Sequence, residues 1–327
     1  MSTVNATPAL NTTSFTIKAN GTRSNQNTEL SIVASVAVFL SFFGLVGNAI
    51  VVWILTFKIK RNKYTVYILN LAIADFIYLF FVVIVMLLMV DQMVNSRKTP
   101  AITIQALETI YDFGYAAGML FLTAISVERC LSVVFPIWHK CYRPKHLSTW
   151  VCGFLWLFGL FISLFDNLAC PAKHFINATN QCMAVQIFSI VLTFIIIIPL
   201  MVMSSLILIF VVRTTSQKCR PPKLYVAIII TVLVFLISVA PIRVLWILLY
   251  FKFFPSSFQT LVFFFATIYC TVFNSSANPF IYFFVGRQKK KFGGSVNEAL
   301  SRVFKEDDTE QTTDYYRDSN STISTIN

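Results

Sequence analysis

The sequence predicts an all-α membrane protein: a bundle of seven transmembrane helices followed by a short amphipathic eighth helix. Three observations predict it. Of the 327 residues, 57% are hydrophobic and only 12% charged, about half the charged share of an ordinary soluble domain. Apolar runs long enough to cross a bilayer recur seven times, at about 31–57, 64–90, 103–135, 148–169, 183–212, 223–251 and 260–285. The basic residues between the runs alternate in density, as positive-inside sorting requires.

Taken in order, residues 1–30 are polar, rich in Asn and Thr, and carry glycosylation acceptors at Asn5, Asn11 and Asn20. They read as an extracellular glycosylated tail. Residues 1–29 lack the apolar core of a cleavable signal peptide, so the first span is expected to act as its own targeting signal. The helical domain is expected over 31–286. Its basic loops hold Lys58, Lys60, Arg61 and Lys63, then Lys140, Arg143 and Lys145, then Arg213, Lys218, Arg220 and Lys223. Arg287, Lys289, Lys290 and Lys291 follow the seventh span, whereas the alternate loops carry only Arg97, Lys98, Lys173 and Lys252. The basic loops therefore face the cytoplasm and the N-terminus lies outside. The net charge of +12 is a topology signal, and no folded basic surface for nucleic acid is implied. The acceptor at Asn177, between spans four and five, falls outside with the other three.

The third span carries Glu108, Asp112, Glu128 and Arg129, so it is expected to sit among the other helices. Of the seven cysteines, only Cys170 and Cys182 fall on the outer side. They form a disulfide closing a short loop, or stand as two free thiols. Residues 287–304 place Phe292, Val296, Leu300 and Val303 at helical intervals among basic residues, the pattern of a helix lying on membrane lipids. Residues 305–327 are polar, with almost no apolar content, and are expected to be a disordered cytoplasmic tail.

The chemistry-bearing residues are few. Asp75 lies mid-span in Leu-Ala-Ile-Ala-Asp, a depth at which an ionisable group marks function. Asn48, Asn274 and Asn278 are its expected polar partners. A water cluster suits that set better than a sodium ion, because the span-three position that would complete a sodium cage is Gly118. Asn278, Pro279 and Tyr282 form an Asn-Pro-x-x-Tyr motif in span seven. Its proline strands a backbone carbonyl, and Asn278 is expected to supply hydrogen bonds at that weak point. Glu128 and Arg129 close span three as adjacent opposite charges that are expected to pair, though a lone interfacial arginine can also snorkel. Pro199 and Pro241 add kinks to spans five and six.

These motifs together resemble a rhodopsin-class G-protein-coupled receptor. The wording at 122–133 (Leu-Thr-Ala-Ile-Ser-Val-Glu-Arg-Cys-Leu-Ser-Val), 136–138 (Pro-Ile-Trp) and 282–286 (Tyr-Phe-Phe-Val-Gly) is more narrowly similar to the Mas-related receptors, over roughly 40–305. The resemblance implies a plasma-membrane receptor that activates heterotrimeric G proteins, Gq or Gi, through Arg129 and the segment 213–223. It also implies that Cys170 and Cys182 replace the usual cysteine opening span three, since residues 91–115 contain none. The residue before the span-six proline region that is usually Trp is Val239, which leaves Phe235 as the packing element, and Ile207 stands where many relatives have a tyrosine. Asp166 matches an acidic ligand-binding position of the family, whereas the second such position is Gln186.

Glu108, Asp112 and Tyr115 share one face of span three, and with Asp166 and Arg243 they make the expected ligand site. Arg243 either stands opposite the acids as a ligand contact or pairs with Asp112. Mixed charge favours a peptide or zwitterionic ligand. In the tail, Glu306, Asp307 and Asp308 beside Thr309, Thr312, Thr313, Ser319, Ser321, Thr322, Ser324 and Thr325 suit receptor kinases, whose phosphates arrestin would grip.

No enzyme is expected. A retinal pigment needs a lysine in 260–285, which has none, and His139, His146 and His174 all fall in loops, away from any intramembrane metal site. An aspartyl protease would need more than the single Tyr111-Asp112. The alternative is a non-signalling or transport membrane protein of seven helices, for which no internal repeat is seen.

Overall fold

The computed structural model describes residues 12–59, 62–95, 99–169, 180–215, 223–241, 244 and 257–286. They form seven helical rods. These are α1 (Thr12–Phe57), α2 (Thr65–Asn95), α3 (Ala101–Val134) and α4 (Leu147–Ala169). Next comes α5, continuous through Asn180–Ile190, Val191–Ile197 and Ile198–Thr215, and then α6 (Lys223–Ser238) and α7 (Ser257–Gly286). The first five are long and apolar enough to cross a membrane, and α6 contributes the shorter apolar stretch Val226–Ser238. In α1 that membrane-crossing part is Thr28–Phe57, and the helix begins earlier, at Thr12. The expected surface helix at 287–304, the tail 305–327, Asn5, Asn11, Cys170, Asn177 and Arg243 lie outside the described residues, as do the side chains of Asn20, Cys182 and Gln186.

Helix α3 is the axle of the bundle. Over its most apolar window 56% of residues are buried, against 22% for α1, and burial is unbroken from Ala116 to Thr123. A helix buried on every side needs small residues where neighbours cross, and α3 supplies them. A Cβ on Gly114 would stand 2.7 Å from the backbone nitrogen of Tyr78 on α2, and one on Gly159 of α4 would stand 3.2 Å from Ala117. On α1, Gly47 meets Pro279 of α7, where a Cβ would lie 3.0 Å from the proline ring.

Proline shapes two of the irregularities. Pro136 disfavours helix at the residue before it, and α3 stops at Phe135 with φ −123° and ψ 62°. The chain then makes one π-helical turn, Trp138–Tyr142, before α4. Within α5, Pro199 has no N–H to give. The turn before it widens to π-helix over Val191–Ile197, with the Ile198 N–H donating to Thr193 O.

Candidate functional site

Chemistry-bearing side chains gather at three levels along the bundle. At mid-depth, Asp75 is buried on α2, and Asn278 Nδ2 of α7 donates to its carboxylate at 2.7 Å. Pro279 cannot donate to Ser275 O one turn back, so that carbonyl is stranded. Asn48 of α1 fills the gap, donating from Nδ2 to Ser275 O at 3.1 Å and to Gly44 O at 3.0 Å. The role expected of Asn278 at the proline thus belongs to Asn48, because Gly44 and Gly47 let α1 lie directly on α7. Asn274 and Tyr282 are buried in the same layer, and the Oδ1 atoms of Asn274 and Asn278 have no hydrogen-bond partner. Gly118 lies beside Asp75, its Cβ position 3.3 Å from Oδ1, and offers no oxygen to a cation.

At the end that the charge bias assigns to the cytoplasm, Glu128 and Arg129 do not form the expected neighbour pair. Successive residues on a helix point about 100° apart, and the Glu128 carboxylate turns to the chain beyond Pro136. Arg143 Nη2 donates to Glu128 Oε1 at 2.6 Å and to Ser148 Oγ at 2.8 Å, and Tyr67 OH donates to the same Oε1 at 3.1 Å. His139, buried in the π-helical turn, brings Nε2 to 3.7 Å from Glu128 Oε2. Arg129 is itself buried, with its guanidinium carbon 3.6 Å from the centroid of the Tyr64 ring.

At the opposite end, Glu108, Asp112 and Tyr115 on α3 are half-buried, as is Asp166 on α4. Asp112 accepts from Asn167 Nδ2 at 2.9 Å. Gln105 Nε2 donates to Asn167 O at 3.1 Å, and Ser163 Oγ donates to Thr109 O at 2.5 Å, so the α3–α4 seam is polar here. Tyr78 hydrogen-bonds Thr271 of α7, and its ring lies 5.9 Å from Tyr115 and 6.3 Å from Tyr111.

The profile of the 7 transmembrane receptor (rhodopsin family) matches residues 47–282. It opens one residue before Asn48 and closes on Tyr282. The proto-oncogene Mas of Mus musculus is 39% identical over 305 residues, 91% of this chain and 90% of that protein. The Homo sapiens Mas is 39% identical over 311 residues, covering 91% and 93%. The Mas-related G-protein coupled receptor member D of Homo sapiens is 38% identical over 268 residues, covering 81% and 82%. The chain belongs to the Mas-related receptors of the rhodopsin family.

This Mas-related receptor is therefore a membrane receptor and not an enzyme, and the transport reading falls away. Its departures from the wider class sit inside the core: Phe235 and Val239 are both buried there, and Ile207 is half-buried. Three residues of the network escaped sequence reasoning. Asn167 stands four residues after Ser163, a polar pair on one face of an apolar span that could have been noticed. Tyr64 and Arg143 gave no such signal, since each lies in a short basic loop whose path depends on tertiary contacts.

Proposed function

We propose that this receptor sits in the plasma membrane with its N-terminus outside and couples an extracellular peptide or zwitterionic ligand to heterotrimeric G proteins of the Gq or Gi class. The observation that carries this reading is Arg129. It is buried against an aromatic face while its sequence neighbour Glu128 is committed to Arg143. A charge kept so far from water is expensive, and at membrane depth such a residue marks function. Around it the loop after α3 presents Phe135, Ile137 and Tyr142, all exposed, as an apolar surface for a G protein.

The ligand enters at the other end. Glu108, Asp112 and Asp166 take its cationic part and Arg243 its anionic part, with Tyr115 below. In the tail, receptor kinases phosphorylate the hydroxyl cluster after Asp308, and arrestin follows. Arg129→Ala tests the core of the reading. Ligand-independent nucleotide exchange in overexpressing membranes should disappear while surface expression persists; unchanged exchange would remove Arg129 from the coupling machinery.

A further inference from the structure

One turn of α2, from Ala74 to Tyr78, lies against α3 and is also tied to α7. We propose that Tyr78 is a positioning residue of this receptor: its ring follows Tyr111 and Tyr115 of α3, and its hydroxyl passes their position to α7. The proposal rests on the reading that the ligand binds beside Tyr115, and it supplies the route from that site to the Asn-Pro-x-x-Tyr segment.

The α3 side is a close fit. A Cβ on Gly114 would stand 2.7 Å from Tyr78 N and 3.0 Å from Ala74 O, and one on Gly118 would stand 3.3 Å from Asp75 Oδ1. At Gly114 the two backbones therefore approach with no side chain between them. The tyrosines that flank this glycine, three residues before it and one after, both reach the Tyr78 ring. Tyr111 meets it edge to face at 6.3 Å with planes 76° apart, and Tyr115 meets it at 5.9 Å and 52°. Such ring contacts are directional, and Tyr78 is only 2% exposed, so its ring has little room to turn alone.

The α7 side is a hydrogen bond. A hydroxyl has one proton to give; Thr271 Oγ1 gives its own to Thr267 O at 2.8 Å and so accepts from Tyr78 OH. Three residues earlier on α2, Asp75 accepts from Asn278 Nδ2 at 2.7 Å. The two ties leave α2 three residues apart and reach α7 seven residues apart, about 4.5 Å and about 10.5 Å along the helix axes. They splay, so α7 cannot slide along α2 without straining one of them. A packed core shifts between arrangements and does not deform smoothly. A displacement of Tyr111 or Tyr115 therefore reaches Thr271, and with it Asn274 and Asn278 on the same helix.

Full-length receptor in nanodiscs of phosphatidylcholine and phosphatidylserine, without ligand, provides the test. Phe284, exposed near the inner end of α7, is replaced by a cysteine carrying a trifluoromethyl label, and exposed Cys141 by serine. Fluorine NMR then reads how the inner end of α7 divides between its environments. Tyr111→Leu removes a ring contact at the outer end and should change that ratio about threefold or more, a size usual for coupling between distant sites. Tyr78→Phe keeps the ring and drops the bond; in its presence the effect of Tyr111→Leu should fall below about 1.5-fold. Thr271→Val cuts the same bond from α7 and should give the same loss, which keeps the test open if the phenylalanine variant does not fold. Tyr115→Leu likewise replaces Tyr111→Leu. A response that survives loss of the bond overturns the proposal, and so does a label that ignores both leucine variants. A bond that only stabilises the fold would lower the melting temperature of Tyr78→Phe and leave the response to Tyr111→Leu intact. The label needs no ligand, so the two readings fail separately. An unmoved dose curve for a basic peptide agonist on Asp166→Asn would relocate the ligand and leave the Tyr78 route standing, whereas a silent label beside a shifted dose curve removes only the route.

Discussion

Breaking the ion pair between Glu128 and Arg143 should destabilise the receptor far more than removing both charges together. The Arg143 side chain is 1% exposed and that of Glu128 12%, and the two meet at 2.6 Å. In Arg143→Met the carboxylate would keep Tyr67 OH at 3.1 Å and a distant His139, donors that do not replace a guanidinium. Losing one partner of such a pair costs about 3–5 kcal/mol. In a protein of this size that lowers the unfolding midpoint by on the order of 10 °C. Glu128→Leu strands Arg143 with Ser148 as its remaining close oxygen, at 2.8 Å, and should cost a similar amount. The double variant leaves neither charge of the pair without its partner and should recover most of the loss, so the two effects are strongly non-additive. A thiol-reactive dye on solubilised receptor reads this directly: exposed Cys141 labels at once, and buried Cys152 labels only on unfolding. Single variants melting within about 2 °C of wild type, or a double variant as unstable as the sum of the singles, would show that the pair does not hold α3 to the loop beyond it.

Gly114→Ala forces a Cβ to within 2.7 Å of the Tyr78 backbone and should cost about 1–3 kcal/mol. Gly153→Ala meets nothing within 4 Å and should be neutral or gain up to ~1 kcal/mol from helix propensity; the same melting assay compares them, and equal effects would contradict the close α2–α3 approach. Asp166→Asn removes a ligand charge and should weaken a basic peptide agonist by about 2–5 kcal/mol without changing ligand-independent exchange; a calcium-release dose curve that does not move would place the ligand elsewhere. Truncation after Phe304 should leave G-protein activation intact and reduce arrestin recruitment, and a truncated receptor that internalises normally would leave the tail without a regulatory role.

The seven rods were legible because lipid leaves the backbone no partner but itself, so apolar length alone marks each helix. Helix α4 was expected over 148–169 and runs Leu147–Ala169. What the sequence could not carry was pairing. Glu128 and Arg129 are adjacent in the chain yet point apart, and the true partner, Arg143, depends on Pro136 ending α3 and on the π-helical turn that follows. The stranded carbonyl at Ser275 was deducible from Pro279 alone. That Asn48 reaches it depends on how closely Gly44 and Gly47 let α1 approach, a packing fact with no local signature. Pro199 announced a distortion of α5 but not its form, since a missing N–H is compatible with a kink or with a widened turn.

The distribution of polar contacts says where this bundle can yield. Side-chain hydrogen bonds join α1, α2, α3, α4 and α7 to one another: Tyr78 to Thr271, Asn278 to Asp75, Asn48 to Ser275, Tyr269 to Val33, Trp156 to Asn70, and the α3–α4 seam at Asn167. Helices α5 and α6 meet that frame through apolar side chains such as Ile197, Met201, Val232 and Phe235. Apolar contacts have no fixed direction and slide with small loss, whereas a buried hydrogen bond broken without replacement costs about 1–3 kcal/mol. A rearrangement that opens the Arg129 end keeps those bonds whole if α5 and α6 are the helices that shift. Arg129 also rests on that frame, its guanidinium carbon 3.6 Å from the ring centroid of Tyr64, the residue before α2, and a shift of α5 and α6 alone would leave that contact in place.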